Sequence, residues 1–526
     1  MAQRIGGLLT FAVFGVIAWF YATPDELGFL GHFLLALLTL KLTLAMFYRP
    51  YRDRAVGPAP STAVVVPIYN EDPEILRRCL ITIMEQTLPP GTVTVVDDGS
   101  RTDEAARVAE AHIGEFARSG INLLVLRQPR NMGKREALAR GFTAVPQVDI
   151  YIGVDSDTVL KPRAFAELLA SMSDERVTGA TGMVLASNHR INLLTRLIEL
   201  RYANAFLYER AAYSMLGTVL CCCGSLAAYR GWIVHKYLDD FRAQTFLGQP
   251  AVVGDDRRLT NYCLLEGSVR FQSSAMAETA VPERLGHYLR QQSRWNRSFF
   301  RETLWCLRTF PRSRPIGFLL SGIEFATWLV FTTTLVYSLI LRPLLYGDVL
   351  VVQYLTMIIT FGYLRSVRYL DLRREGMNLP EKLGTFALAP IYGLMHIFLL
   401  LPIRLWSLAT LRTAAWGTRR KVEVATPATS PPVHVPSPSP QAAPDLPGAP
   451  APSKPSGLAA PSTRPLSPIP SAWPPPPPFP PPGENRTAAL GGEVLWRRRR
   501  RGRKADREDL AYWAAIREEF GSVTRR

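Results

Sequence analysis

Cysteine is scarce and unpatterned. Six residues in a chain of 526, three of them adjacent at Cys221, Cys222 and Cys223, supply neither a Cys-x-x-Cys pair nor alternating spacing. That argues against a disulfide framework and a thiolate zinc site, and it suits a reduced, cytosolic domain. A cleavable leader is also not expected. The apolar N-terminus shows no small-x-small site before a soluble region, and a second apolar block follows at once, which is the pattern of retained anchors. Acidic residues are the minority, 44 against 61 Lys and Arg, leaving a formal charge of +17. The basic residues gather beside apolar blocks and in one run near the C-terminus, a placement suited to anionic lipid and sugar diphosphates rather than nucleic acid.

What is present divides into six regions. Residues 1–54 read as a transmembrane hairpin, with spans at 6–22 and 28–47 around the polar turn Pro24-Asp25-Glu26. Basic flanks at Arg4 and at Arg49, Arg52 and Arg54 put both ends in the cytosol. Residues 55–284 read as a cytosolic α/β domain. Residues 285–315, with Arg290, Arg294, Trp295, Arg297, Phe299, Phe300, Arg301 and Trp305, read as an amphipathic helix at the membrane surface. Residues 316–421 return to the membrane, with spans at 316–341 and 345–364 joined by a loop containing Arg342 and Asp348. The stretch 385–411 is broken by Pro390 and Pro402 and interrupted by Arg404, so it is expected to re-enter or turn back, giving four full crossings plus a broken element. Residues 422–492 are a disordered Pro-rich linker and 493–526 a basic tail. In the tail Leu510, Trp513, Ile516 and Phe520 share one helical face, suiting either a solubilising terminus or docking on the anionic inner leaflet.

In the cytosolic region, apolar strands at 63–67, 92–96, 123–126 and 150–154 alternate with helices at 74–86 and 102–118. This pattern predicts a parallel sheet buried on both faces, with ligands at its carboxyl edge. The polar residues following the strands are Asn70, Asp97 with Asp98, and Asp155 with Asp157. Asp155-Ser156-Asp157 is suited to holding Mg²⁺ or Mn²⁺ against two phosphates, although two acids after a strand also make a solvated loop or a helix cap. Asp97-Asp98-Gly99-Ser100 suits a tight turn whose carboxylate accepts from a uracil N–H or a ribose hydroxyl. Asn131-Met132-Gly133-Lys134-Arg135 places two cations at a helix start, an anion site or an ordinary helix beginning.

These motifs accompany Gly254-Asp255-Asp256-Arg257 and Gln291-Gln292-Ser293-Arg294-Trp295. The set resembles the processive branch of the inverting family 2 glycosyltransferases of GT-A fold, which includes cellulose, chitin and chitin-oligosaccharide synthases. Arg294 through Glu302, Pro390-Ile391-Tyr392-Gly393 and Trp416-Gly417-Thr418-Arg419 narrow the resemblance to the class I hyaluronan synthases, over residues 5 to 421. The resemblance implies a plasma-membrane, multi-pass enzyme that polymerises UDP-GlcNAc and UDP-GlcA. It would export the growing polysaccharide through a channel formed by residues 316–421, in contact with membrane lipids including anionic lipid. A single chain is the expected unit, with the oligomeric state left open. It assigns Asp256 as catalytic base and Asp157 to the metal. Asp98 goes to uridine, Asp155 to donor contact, and Tyr69, Lys134, Arg294, Trp416 and Arg419 to the donor site. Gln291 and Trp295 hold the acceptor.

Two positions depart from the family pattern. Glu136 replaces the histidine after Gly-Lys-Arg and adds negative charge near the donor phosphates. Cys223-Gly224-Ser225-Leu226 lacks the usual proline, so a more mobile loop is expected. Cys221 to Cys223 are either packing residues or part of the substrate site. The readings in competition are a related synthase making a chitin-like or other homopolymer from one donor, a non-processive transferase acting on lipid, and a scaffold with a dead transferase domain.

Overall fold

The computed structural model of the chain describes residues 28–52, 59–311, 313–347 and 351–412. The strands are β1 (Thr62–Ile68), β2 (Thr92–Asp97), β3 (Asn122–Arg127), β4 (Ile150–Gly153), β5 (Thr158–Leu160), β6 (Val177–Ala186), β7 (Ala227–Arg230), a small hairpin of β8 (Thr245–Phe246) and β9 (Gln249–Pro250), and β10 (Ser268–Thr279). Eight of them form one sheet in the order β3-β2-β1-β4-β7-β6-β10-β5. The half from β3 to β4 is parallel, as its Val- and Ile-rich runs predict, and β1 and β4 are almost wholly buried. The other half is mixed. β7 runs antiparallel to both β4 and β6, and β5 runs antiparallel to β10. The sequence hides this because β7 reads Ala-Ala-Tyr-Arg, without the branched run that marks a central parallel strand.

The helix expected at 74–86 spans Pro73–Met84, opened by Asp72, whose side chain accepts from Glu74 N at 2.9 Å. The one expected at 102–118 divides at His112 into Glu104–Ala111 and Ile113–Arg118.

Two helical runs among the described residues are long and apolar enough to cross a membrane, Pro315–Val336 and Leu379–Ala409. The helix Gly28–Phe47 precedes the sheet, and the 16-residue helix Val351–Ser366 is shorter than the segment expected there. The turn-back expected within 385–411 is not observed. Pro390 and Pro402 each sit in the first turn of a new segment, Ala389–Met395 and Leu401–Ala409, where a missing N–H is tolerated. A π-helical turn at His396–Leu400 joins them. Arg342, expected in a loop, opens the short helix Arg342–Tyr346. The span at 6–22, Asp348, the Trp416–Arg419 motif and the tail beyond it lie outside the described residues.

The helix Leu285–Thr309 is amphipathic, but it is not simply laid on a surface. Phe300, Arg301 and Glu302 are buried, and the Phe300 ring meets Trp328 edge-on at 4.7 Å. Arg301, a candidate for lipid headgroups, is thus enclosed by protein. The helix is wedged between the transferase sheet's own helix Asp255–Glu266 and the membrane runs.

Candidate active site

The turn after β2 is built by its two acids in different ways. Asp97 Oδ1 accepts from Ser100 N at 3.1 Å and Ser100 Oγ at 2.6 Å, closing the turn. Gly99 has φ 68°, and a Cβ there would lie 2.3 Å from the Arg130 carbonyl carbon, so only glycine fits. Asp98 is left to reach the next loop, where Met132 N donates to Oδ1 at 2.7 Å and Gly133 N to Oδ2 at 2.9 Å. Burial pushes its carboxyl up to about 6 despite these two N–H donors. Asn70, after β1, takes the left-handed conformation at φ 47°. It joins the same turn through Ser100 Oγ at 2.8 Å and Arg101 N at 2.9 Å.

Gly133 precedes the helix Lys134–Ala144, whose first residue ion-pairs with Asp155. Burial opposes the Lys134 charge, yet Asp155, Asp255 and Asp256 hold its pKa above the ordinary lysine value. Ser225 Oγ donates to Asp155 at 3.2 Å, and a Cβ on Gly224 would come within 3.2 Å of Lys134 Nζ. The loop lacking proline is therefore packed directly on this pair. It is also fastened along its backbone, Cys222 N to Thr260 Oγ1 at 2.8 Å and Cys223 N to Thr181 Oγ1 at 3.0 Å. Cys222 packs in the core, while Cys221 and Cys223 line the cavity, so both readings of the triplet hold in part.

The two acids after Gly254 are also divided. Both border the cavity, but Asp255 is buried and committed to Arg135, with Nε to Oδ1 at 2.9 Å, whereas Asp256 accepts from Arg257 N and the Cys221 thiol. The Glu136 charge reaches Asp98 only as a minor contribution to its raised pKa. Its side chain turns outward to Arg242, whose Nε lies 2.9 Å from Oε2.

One cavity of about 820 Å³ gathers Tyr69, Asp98, Lys134, Asp155, Asp157, Asp256, Gln291, Arg294 and Trp295. It continues past them to Glu324, Trp328, Arg365, Tyr392, His396 and Arg404, on or beside the apolar helical runs. Gln291 Oε1 is a buried acceptor with no partner among the described residues. Trp295 is 40% exposed and held from behind, its ring 5.4 Å from the Arg201 guanidinium and 6.2 Å from the Tyr202 ring. The sequence reading missed Arg201 and Tyr202. Neither stands out in the helix Leu193–Ala203, which also carries Arg196 and Glu199.

Among the described residues no three His, Cys, Asp or Glu side chains are grouped to hold a metal by themselves. Asp155 and Asp157 are two carboxylates in one cavity, the donor set with which Mg²⁺ binds when substrate phosphates complete its shell. The residues fit such a metal.

Residues 58–298 match the family described as "Glycosyltransferase like family 2". The hyaluronan synthase of Streptococcus pyogenes is 38% identical over 402 residues, covering 76% of this chain and 92% of that protein. The N-acetylglucosaminyltransferase of Rhizobium leguminosarum bv. viciae is 34% identical, covering 72% and 85%. The solved mannosyltransferase PcManGT of Pyrobaculum calidifontis, in complex with GDP-Man and Mn²⁺, is 17% identical with a TM-score of 0.46, covering 76% and 99%. The chain belongs to family 2 of the glycosyltransferases, on the branch of the hyaluronan synthases, and is a processive, inverting, UDP-sugar-dependent enzyme that builds a polysaccharide.

Proposed function

We propose that this enzyme alternates UDP-GlcNAc and UDP-GlcA to make hyaluronan and passes the chain outward between its own membrane helices. The observation that carries the proposal is the single cavity running from Asp98 and Lys134, past Asp256 and Trp295, to Arg365 and Arg404. A transferase adding one sugar to a lipid needs no such continuation. We read the protein as a multi-pass plasma-membrane enzyme with the domain 55–284 in the cytosol.

In this reading Asp98 and Tyr69 hold the uridine, and Lys134 and Arg294 face the diphosphate. Asp157, with Asp155 beside it, would hold Mg²⁺ or Mn²⁺, which offsets the charge of the leaving diphosphate. Trp295 offers a flat apolar face to the acceptor sugar, and the orphan Gln291 Oε1 accepts from one of its hydroxyls. Asp256 takes the proton of the attacking hydroxyl as its oxygen bonds to the anomeric carbon, and the bond to UDP breaks on the opposite face. Trp416 and Arg419 are assigned to the donor side. Ser407 Oγ lies 3.2 Å from Ser293 Oγ and Arg297 Nε 3.2 Å from Thr410 Oγ1, so the last helix ends against the helix that carries Arg294.

The 34% identity to an N-acetylglucosaminyltransferase favours a second reading, a homopolymer from one donor. Incubating purified protein with each donor separately and then with both, followed by a hyaluronan-specific lyase, decides between them. Polymer made only with both donors and degraded by the lyase is the expected result. Long polymer from one donor alone would move the enzyme to the second reading.

A further inference from the structure

Glu302 sits on the helix that carries Gln291, Arg294 and Trp295, yet it does not line the cavity. Its side chain is 3% exposed and accepts from four donor atoms on three residues. Arg258 offers Nε at 2.8 Å and a terminal nitrogen at 3.3 Å, Asn261 its amide at 3.0 Å and Gln244 its amide at 2.5 Å. Arg258 and Asn261 belong to the helix Asp255–Glu266, whose first turn carries Asp256. Arg258 is itself held flat against Trp305, with its guanidinium 4.4 Å from the ring centre.

The same two helices meet again nearer the site. Gly254 has φ 103°, and a Cβ there would lie 2.5 Å from Ser298 Oγ, so the helix start is pressed on the platform helix. Between Trp295 and Glu302 lies about 10 Å of helix. One helix carries the base and the other the acceptor platform, and the joint between them holds a buried ion pair beside the aromatic contact of Tyr262 with Trp305. Apolar contact is non-directional and tolerates sliding, whereas a buried carboxylate with a bidentate guanidinium admits one orientation.

We propose that Glu302 is a positioning residue that fixes the distance and angle between Asp256 and the Gln291–Arg294–Trp295 platform, acting through Arg258 and Asn261 without touching substrate. The proposal rests on the reading of Asp256 as base. Because misplacement by about 1 Å costs on the order of a hundredfold in rate, loosening this joint acts on turnover. Donor binding is affected less, since Asp98, Lys134 and Asp157 stand on other elements and only Arg294 of the assigned donor contacts stands on the platform helix.

The test uses full-length protein in detergent, with kcat from UDP release and UDP affinity by calorimetry. Glu302→Gln is expected to lower kcat by about tenfold or more with UDP affinity unchanged within about twofold. The double variant Arg258→Gln with Glu302→Gln, a neutral hydrogen-bonding pair, should regain much of the loss. Arg258→Lys keeps the charge and removes the fork, so it should show the same split in a protein that stays folded. Wild-type kcat in both single variants overturns the proposal, as does UDP affinity falling in step with kcat, or a double variant no better than Glu302→Gln. Asp256→Asn assayed alongside separates the two ideas. Full turnover there removes the base assignment, whereas a dead Asp256→Asn beside a normal Glu302→Gln removes only the role of Glu302.

Discussion

The Cys221 thiol lies 3.5 Å from Asp256 Oδ2, so the carboxylate assigned as base accepts from the loop that closes the donor site. Burial and the charge of Asp256 both raise the Cys221 pKa, which keeps the proton on sulfur and makes the thiol the donor. Asp256→Asn keeps the size of the side chain and loses its basicity. Transfer should fall by about a hundredfold or more while UDP binding persists. Cys221→Ala removes one weak hydrogen bond and should cost less than about tenfold. UDP release and UDP calorimetry on the two variants check both statements, and normal turnover in Asp256→Asn would sink the assignment.

Asp157 and the donor diphosphate repel each other unless a cation lies between them. Synthesis should therefore stop in excess EDTA and return with Mg²⁺ or Mn²⁺. Asp157→Asn should weaken metal-dependent donor binding and leave metal-independent UDP binding nearly unchanged. Full synthesis in EDTA would contradict this placement.

Arg374, in the turn before the Leu379–Ala409 run, is clamped on the end of the transferase sheet. It pairs with Glu199 at 3.0 Å and Glu278 at 3.2 Å and donates to Ala186 O at 2.9 Å. Glu199 is fully buried, so Arg374→Leu removes its cationic partner and drives the carboxyl toward its neutral form, and the loss should stay below the roughly 3 to 5 kcal/mol of a buried charge left unpaired. Burial already pushes Glu199 up to about 7, against the pull of Arg374. The loss should shrink at acid pH, where Glu199 is neutral. Thermal unfolding of the variant at pH 6 and pH 8 measures this, and an unchanged melting temperature at both would refute it.

The parallel half of the sheet and the acids at its edge were legible because branched runs and strand-end acids are local signals. Asp97 and Asp98 were recognised as a pair, but only the structure separates them into turn builder and site residue. The antiparallel β7 was not legible, since four residues without a branched apolar run carry no direction. Prolines at 390 and 402 suggested a chain reversal because composition does not say whether a proline stands inside a helix or opens one. Glu136 reads from its sequence neighbours as facing the donor, and its partner Arg242 lies 106 residues away.

The last described helix meets the platform helix through Ser407 with Ser293 and Thr410 with Arg297. The Pro-rich composition of residues 422–492 cannot build a core. Truncation after Lys421 should preserve catalysis in detergent. Truncation after Arg412 should abolish it, because Trp416 and Arg419 go with the deleted segment. Size-exclusion profiles and UDP release on both proteins test this, and an inactive but well-folded protein ending at Lys421 would refute the separation.

Donor recognition should titrate through Asp98. Burial raises its carboxyl from 3.8 to about 6, so the folded protein takes up this proton more readily than the unfolded chain. The resulting stabilisation is present below about pH 4 and is lost as pH rises through about 6, amounting to about 3 kcal/mol at most. Binding runs the other way, because only the ionised form offers both oxygens to donors. Uridine carries no phosphate that titrates in this range, so its affinity isolates the effect. It should strengthen as pH rises from 5 to 7, with an inflection near 6. Asp98→Asn cannot ionise, and it should bind uridine weakly at every pH, with no inflection. The difference in melting temperature between wild type and Asp98→Asn should shift against the wild type over the same interval. A wild-type affinity that stays flat between pH 5 and 7 would remove Asp98 from uridine recognition.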